Sequence, residues 1–346
     1  MVGRLEWVQG LPAFAVLLVL FSHLFRIEEK YATQTVLPDF VLAGVSGVDL
    51  FFVISGFIMV VVTEKSRAGL RRAAQFIYRR LLRIYPVYWF YTCLVLVVYL
   101  LKPAMVNSGV PSSIWGSYLL WPTGDPFLVA VGWTLSHEIY FYLVFMGLFF
   151  LPRTLMVPAL LGRGLLVLLV GALYAGSIPW MQLILSPMTF EFIAGALLAI
   201  GCMRGLPRWP LRFSLGVMTL AILAMFALGS AYLAATGHTP SGWHRVLLFG
   251  PPSVILLYAV LLAERAGGVL PRWVVAAGDA SYSTYLTHVL VLSVLGYLWV
   301  WGARYLAISS FAMLPVMVIA CFIYGWISYS LLEKSVLRAG KRLING

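Results

Sequence analysis

Ten stretches of this chain are each about eighteen or more residues long and carry no more than one Lys, Arg, Asp or Glu, which suits helices crossing the ~30 Å hydrocarbon core of a bilayer. They run Val8–Phe25, Phe40–Val62, Ile84–Leu101, Gly132–Leu151, Leu155–Gly176, Leu183–Cys202, Leu211–Ala235, Val246–Ala263, Ser281–Trp301 and Leu306–Leu332. A backbone in lipid must satisfy its own hydrogen bonds, so only helices or closed barrels can span. The two-residue alternation of a barrel is absent, and with 62% hydrophobic and 10% charged residues no water-soluble surface can be built. The expected fold is all-α: a polytopic transmembrane helical bundle of about ten spans. It should form a single integral-membrane domain over residues 1–346, with no appended soluble domain. Pro152, Pro158, Pro179 and Pro187 crowd the ends of the fourth to sixth spans. Phe21 to Arg26 offers no small-residue cleavage site, so the first run reads as a retained span. Cys93, Cys202 and Cys321 all fall in apolar runs and read as small core residues, with no metal-ligand spacing.

The basic residues orient these spans. With the N-terminus inside, the inner segments hold Arg4, the cluster Lys65, Arg67, Arg71, Arg72, Arg79, Arg80 and Arg83, then Arg153 and Arg163. They continue with Arg204, Arg208, Arg212, Arg265, Arg272, Lys334, Arg338, Lys341 and Arg342. Only Arg26, Lys30, Lys102, Arg245 and Arg304 fall outside, so nineteen of the 24 cations obey the positive-inside rule. Both termini are expected in the cytoplasm. On this orientation His23, Asp49, Glu138, Glu191 and His288 share the outer-to-middle membrane, and the arginines gather at the opposite face.

Ionisable groups in hydrocarbon are costly and usually line a cavity or pathway. An imidazole near carboxylates suits general-base catalysis, with a carboxylate orienting the ring. A proton relay would use the same residue types. Arg79, Arg80 and Arg83 lie at i, i+1 and i+4 just before Ile84, Tyr85 and Pro86. They suit either anionic lipid headgroups or a phosphate, which guanidinium forks bind bidentately. Pro86 is expected in or just beyond the first turn of its span, re-aiming the tyrosines and Trp89. Lys65 to Arg72 reads as a topogenic loop, and Ser55-Gly56 as a close-packing point between helices.

Five motifs, in order, resemble the acyltransferase-3 family of multi-pass membrane acyltransferases. They are Val48 to Phe57, Arg79 to Trp89, Trp133 to Tyr142, Phe190-Glu191-Phe192 with Gly195, and Gly278 to His288. Together with the first helix they extend over nearly the whole chain, and they look most like the subgroup acting in exopolysaccharide production.

The resemblance implies an O-acyltransferase, most simply an O-acetyltransferase of the bacterial inner membrane, taking its acyl group from cytoplasmic acetyl-CoA or another acyl-CoA and using no metal. Catalysis would rest on His23, ending the first helix, with Glu138 or Asp49. Arg79, Arg80, Arg83 and Tyr85 would bind the donor; Ser55, Trp133, Glu191 and His288 are substrate-channel candidates. The implied partners are acyl-CoA, a polysaccharide or lipid-linked saccharide acceptor, the lipid bilayer and other polysaccharide-synthesis proteins, with no nucleic acid. The family typically carries Arg or Lys eleven positions before the histidine, where this chain has Pro12. Two other readings stay open on the residues alone. One is a proton-coupled transporter, against which stands the lack of inverted repeats. The other is an inactive scaffold in a polysaccharide-synthesis complex, suggested by Pro12.

Overall fold

A computed structural model describes residues 5–32, 34–64, 69–174, 176–302 and 309–345. Its helices, in chain order, are α1 Glu6–Tyr31, α2 Gly47–Thr63, α3 Leu70–Leu101, α4 Ile114–Leu119, α5 Gly132–Gly147, α6 Met156–Leu173 and α7 Pro179–Ile184. Then come α8 Thr189–Met203, α9 Leu211–Thr236, α10 Gly242–Arg265, α11 Arg272–Asp279, α12 Ser281–Gly302, α13 Ser310–Ser328 and α14 Lys334–Asn345. No strand occurs among the described residues. The protein is a polytopic helical bundle, as its apolar runs require. Arg4, Lys65, Arg67, Arg304 and Leu306, used in the sequence reading, lie outside the described residues.

Nine helical segments among the described residues are long and apolar enough to cross a membrane, against ten expected. The one that falls short is the fourth. Its helix α5 has 16 residues, or ~24 Å, and a single 3-10 turn, Leu148–Phe150, follows it. Leu151 is extended because it precedes Pro152, whose ring disfavours the helical region for its neighbour.

Two boundaries also shift. The third span begins at Leu70 rather than Ile84, so Arg71 to Arg83 are helical and Pro86 sits in mid-helix, not in a first turn. Leu183–Cys202 is interrupted between α7 and α8, at Leu185–Met188, where Pro187 cannot donate a helical hydrogen bond. Pro12 lies in the seventh position of α1, and the helix continues through it.

The chain forms two compact units. The first comprises Met1–Val60 and Phe190–Tyr329, the second Val61–Thr189 and Ser330–Gly346. In the first unit α1 is central. Its Leu20 and Leu24 pack with Leu292 and Trp299 of α12 and with Leu314, Met317 and Cys321 of α13. Its N-terminus is capped from α10, where Glu264 accepts the backbone N–H groups of Glu6 (3.1 Å) and Trp7 (2.7 Å). At its other end buried Glu28 accepts N–H groups from Val36 (2.8 Å) and Leu37 (2.9 Å). An acid at a helix start opposes the positive pole of the peptide dipoles and satisfies free donors at once.

Helices α2 and α8 cross at backbone contact. A Cβ on Gly56 would strike the Phe192 carbonyl, and one on Gly195 the Val53 carbonyl. Small residues are what permit such an approach, the role expected of Gly56. Ser55 sits half-buried beside it.

In the second unit α3 packs on α5, and α14 lies against α3 with Gly340 over Leu82. The break between α7 and α8 is held from both sides. His137 lies 3.2 Å from the Ser186 hydroxyl, and Arg163, inside α6, donates to the Ile184 carbonyl. Broken backbone at membrane depth needs such partners. Leu101 and Leu173 are 77% and 85% exposed, which marks these helix surfaces as facing lipid rather than a protein core. Cys202 and Cys321 are buried as expected, but Cys93 is exposed on α3, with its sulfur 3.0 Å from the Tyr118 hydroxyl.

Candidate active site

In the first unit the C-terminal half of α1 and the first turns of α12 bring two histidines together. The rings of His23 and His288 stand edge to face, with centroids 4.8 Å apart and planes at 85°. In each, Nδ1 faces a main-chain carbonyl: Val19 at 2.9 Å for His23 and Tyr285 at 2.5 Å for His288. A carbonyl oxygen can only accept, so the proton of each neutral ring resides on Nδ1. That leaves Nε2 with its lone pair. His23 is partly exposed, whereas His288 is fully buried and its Nε2 meets no hydrogen-bond partner among the described residues. Tyr285 continues the cluster, its ring 5.6 Å from His288 and 5.3 Å from Phe51.

No hydrogen bond among the described residues joins His23 to a carboxylate. Asp49, a candidate for that role, is fully buried and gripped by Arg245 of α10. The guanidinium donates through Nε to both carboxylate oxygens (2.9 and 3.1 Å) and through Nη2 to Oδ2 (2.8 Å), and also to the Val45 carbonyl (2.8 Å). Glu191 lies within electrostatic reach of both partners. Its two carboxylate oxygens are buried without a hydrogen-bond partner among the described residues. The ion pair here is Arg245 with Asp49, and Glu191 lies near it without joining it.

Arg245 was missed as a site residue because it counts as one of the few outer basic residues. The available signal was its position directly against an apolar run on the side where arginine is rare.

The second unit carries the arginines. A cavity of about 190 Å³ is lined by Arg72, Gln75, Phe76, Arg79, Arg80 and Phe149, with Val62 and Thr63. Arg72 therefore belongs to a cleft and not to a plain loop, because α3 begins two residues before it. Arg80 lies over the rings of Phe76 and Tyr142, each centroid 5.6 Å away. The Tyr142 hydroxyl in turn donates to Glu138. Glu138 thereby orients the aromatic platform under an arginine of α3. Arg83 is exposed and not part of the cavity lining. Tyr85 donates to the Leu119 carbonyl (2.9 Å), and Trp89 to that of Tyr118 (2.8 Å), so both anchor α4. Trp133 is half-buried at the start of α5, beside His137. No group of three or more His, Cys, Asp or Glu among the described residues is placed to hold a metal ion.

Fold and composition define a polytopic α-helical integral membrane protein, with two histidine rings packed edge to face in its first unit and an arginine-lined cavity in its second. The comparisons place it more closely. The chain belongs to the acyltransferase-3 family: residues 5–330 match its family model, described as an acyltransferase domain. It is also 31% identical over 314 residues to the exopolysaccharide production protein ExoZ of Rhizobium meliloti (strain 1021), covering 86% of this chain and 91% of that relative. No solved structure matches it. The protein is accordingly a membrane acyltransferase.

Proposed function

We propose that the protein is an O-acyltransferase of the bacterial inner membrane that moves an acyl group, acetyl in the simplest case, from acyl-CoA to a sugar hydroxyl of an exopolysaccharide or its lipid-linked precursor. The single observation that carries the chemistry is the commitment of the His23 Nδ1 proton to the Val19 carbonyl. It leaves Nε2 of a partly exposed imidazole as a base. In the reaction that nitrogen takes the proton of the acceptor hydroxyl as its oxygen forms a bond to the thioester carbonyl carbon. The carbon–sulfur bond then breaks, and the proton passes from His23 to the departing thiolate. His288 holds the His23 ring edge to face, and Tyr285 backs His288.

The donor's phosphates have a fitting partner in the cleft of Arg72, Arg79 and Arg80, where forked donors are held beside aromatic rings. The exopolysaccharide context is supported by the named role of the Rhizobium meliloti relative. Pro12 removes a cation from α1 but leaves the arginines of α3 in place.

The test is transfer of radiolabelled acetyl from acetyl-CoA to extracellular polysaccharide in membranes bearing the wild type or His23→Ala. Label should appear with the wild type and be lost in the variant at equal protein level. Near-normal labelling by His23→Ala would remove this residue from the mechanism.

A further inference from the structure

The second unit holds another cleft, larger than the arginine cavity, that the acyl-transfer chemistry above leaves unused. Its volume is about 330 Å³, at the small end of the ~300–1,000 Å³ of ligand sites and suited to one or two sugar rings. Three segments converge on it: the loop Pro122–Phe127, the first turns of α5, and α7. Trp133 and His137 come from α5, Gln182 from α7, and Asp125 from the loop.

The lining is organised. His137 is bonded at both nitrogens, by Nδ1 to the Trp133 carbonyl (2.9 Å) and by Nε2 to the Ser186 hydroxyl (3.2 Å), and is therefore a brace. Its ring meets that of Trp133 at 90°, with centroids 5.8 Å apart, which sets the indole orientation. Ser136 donates to the Leu120 carbonyl (2.7 Å) and ties the loop to α5. Asp125 and Gln182 are exposed residues of this lining, and their acceptors and donors are accessible to a ligand.

The chemistry of that lining selects its occupant. No Lys or Arg lines the cleft, and one carboxylate does, so phosphates and other anions are disfavoured. An acid and an amide leave polar groups that a purely apolar ligand would strand. An indole face packs against the slightly positive C–H face of a sugar ring, and Asp and Gln accept from or bridge its neighbouring hydroxyls. Residues 103–132, which lead into the cleft, contain no Lys or Arg, the pattern of a non-cytoplasmic segment.

We infer that this cleft is the acceptor-saccharide subsite, with Trp133 as the stacking platform and Asp125 and Gln182 as the hydroxyl partners. The inference rests on the acyltransferase reading above and adds to it a specificity site formed wholly within the second unit.

The experiment is calorimetric titration of the full chain in lipid nanodiscs. The probe is deacetylated oligosaccharide, two to six sugars long, released from the extracellular polysaccharide of the host. Saturable binding is expected, weakened tenfold or more by Trp133→Ala and by Asp125→Asn, and largely kept by Trp133→Phe. Absence of binding to the wild type, equal binding by all cleft variants, or displacement of the sugar by tetramethylammonium would each overturn the assignment. Binding is read without turnover, so failed acetyl transfer with intact, cleft-dependent sugar binding would refute the reaction and not the subsite.

Discussion

Removing Arg245 should be among the most damaging single changes available in this protein. Its guanidinium makes three hydrogen bonds to Asp49, between 2.8 and 3.1 Å, where the side chains are 10% and 0% exposed. Arg245→Ala leaves Asp49 buried with no cation and Glu191 beside it. Breaking one side of a buried pair costs ~3–5 kcal/mol, whereas replacing both sides by apolar residues of similar volume is often near neutral. The double variant Asp49→Leu/Arg245→Met should therefore be markedly more stable than Arg245→Ala, and the coupling between the sites should reach ~2 kcal/mol or more. Thermal unfolding of purified protein in one detergent reads this directly: Arg245→Ala should lower the midpoint by ~5–10 °C. The double variant should regain most of that loss. A fall below about 1 °C for the single variant, or a double variant as unstable as the single, would refute the reasoning.

Two further outcomes follow from the same geometry. Arg79→Ala and Arg80→Ala should each raise KM for acyl-CoA ~10-fold or more with little change in kcat, since a charge-assisted bond contributes ~1.5–3 kcal/mol. Arg79→Lys should fall between, because the charge survives without the planar fork. An unchanged KM, measured over a range of acyl-CoA concentrations, would make these arginines membrane anchors only. Gly195→Val should cost at least ~1–3 kcal/mol, seen as reduced folded yield and midpoint, because its side chain meets the Val53 backbone carbonyl, which cannot swing aside. Wild-type yield and midpoint would contradict the close crossing.

Much of the architecture was readable in advance because lipid leaves so few options. An apolar run long enough to span has little choice but a helix, and most boundaries fall within a few residues of those runs. The helix limits that differ from those runs have local causes. Helix α3 starts fourteen residues before its apolar run, because Arg71 to Arg83 break the apolar pattern although they are good helix formers. The short α5 follows from Pro152 acting on Leu151, a local effect that a count of apolar residues overlooks.

At the candidate site His23 and His288 stood out as rare residues in hydrocarbon, but their edge-to-face pairing joins positions 265 residues apart. Nothing local announces it. Asp49 was visible as a buried acid while its partner was not, since Arg245 looked like a loop cation. Glu28 and Glu264 escaped notice for a different reason. Each satisfies backbone donors, and main-chain N–H groups leave no mark in the residue code.

The cap that Glu264 provides to α1 has a bearing on how the molecule is made. Helix α1 takes its terminal acceptor from a residue near the end of α10, and its core partners Leu292, Trp299 and Met317 are later still in the chain. Insertion and assembly must then be separated in time. The N-terminal segment enters the bilayer early and waits, its first amides unmet, while more than two hundred residues emerge behind it. Chains interrupted before Glu264 would carry an inserted but unseated α1, presenting its N-terminal amides and the His23 face to whatever else the membrane contains.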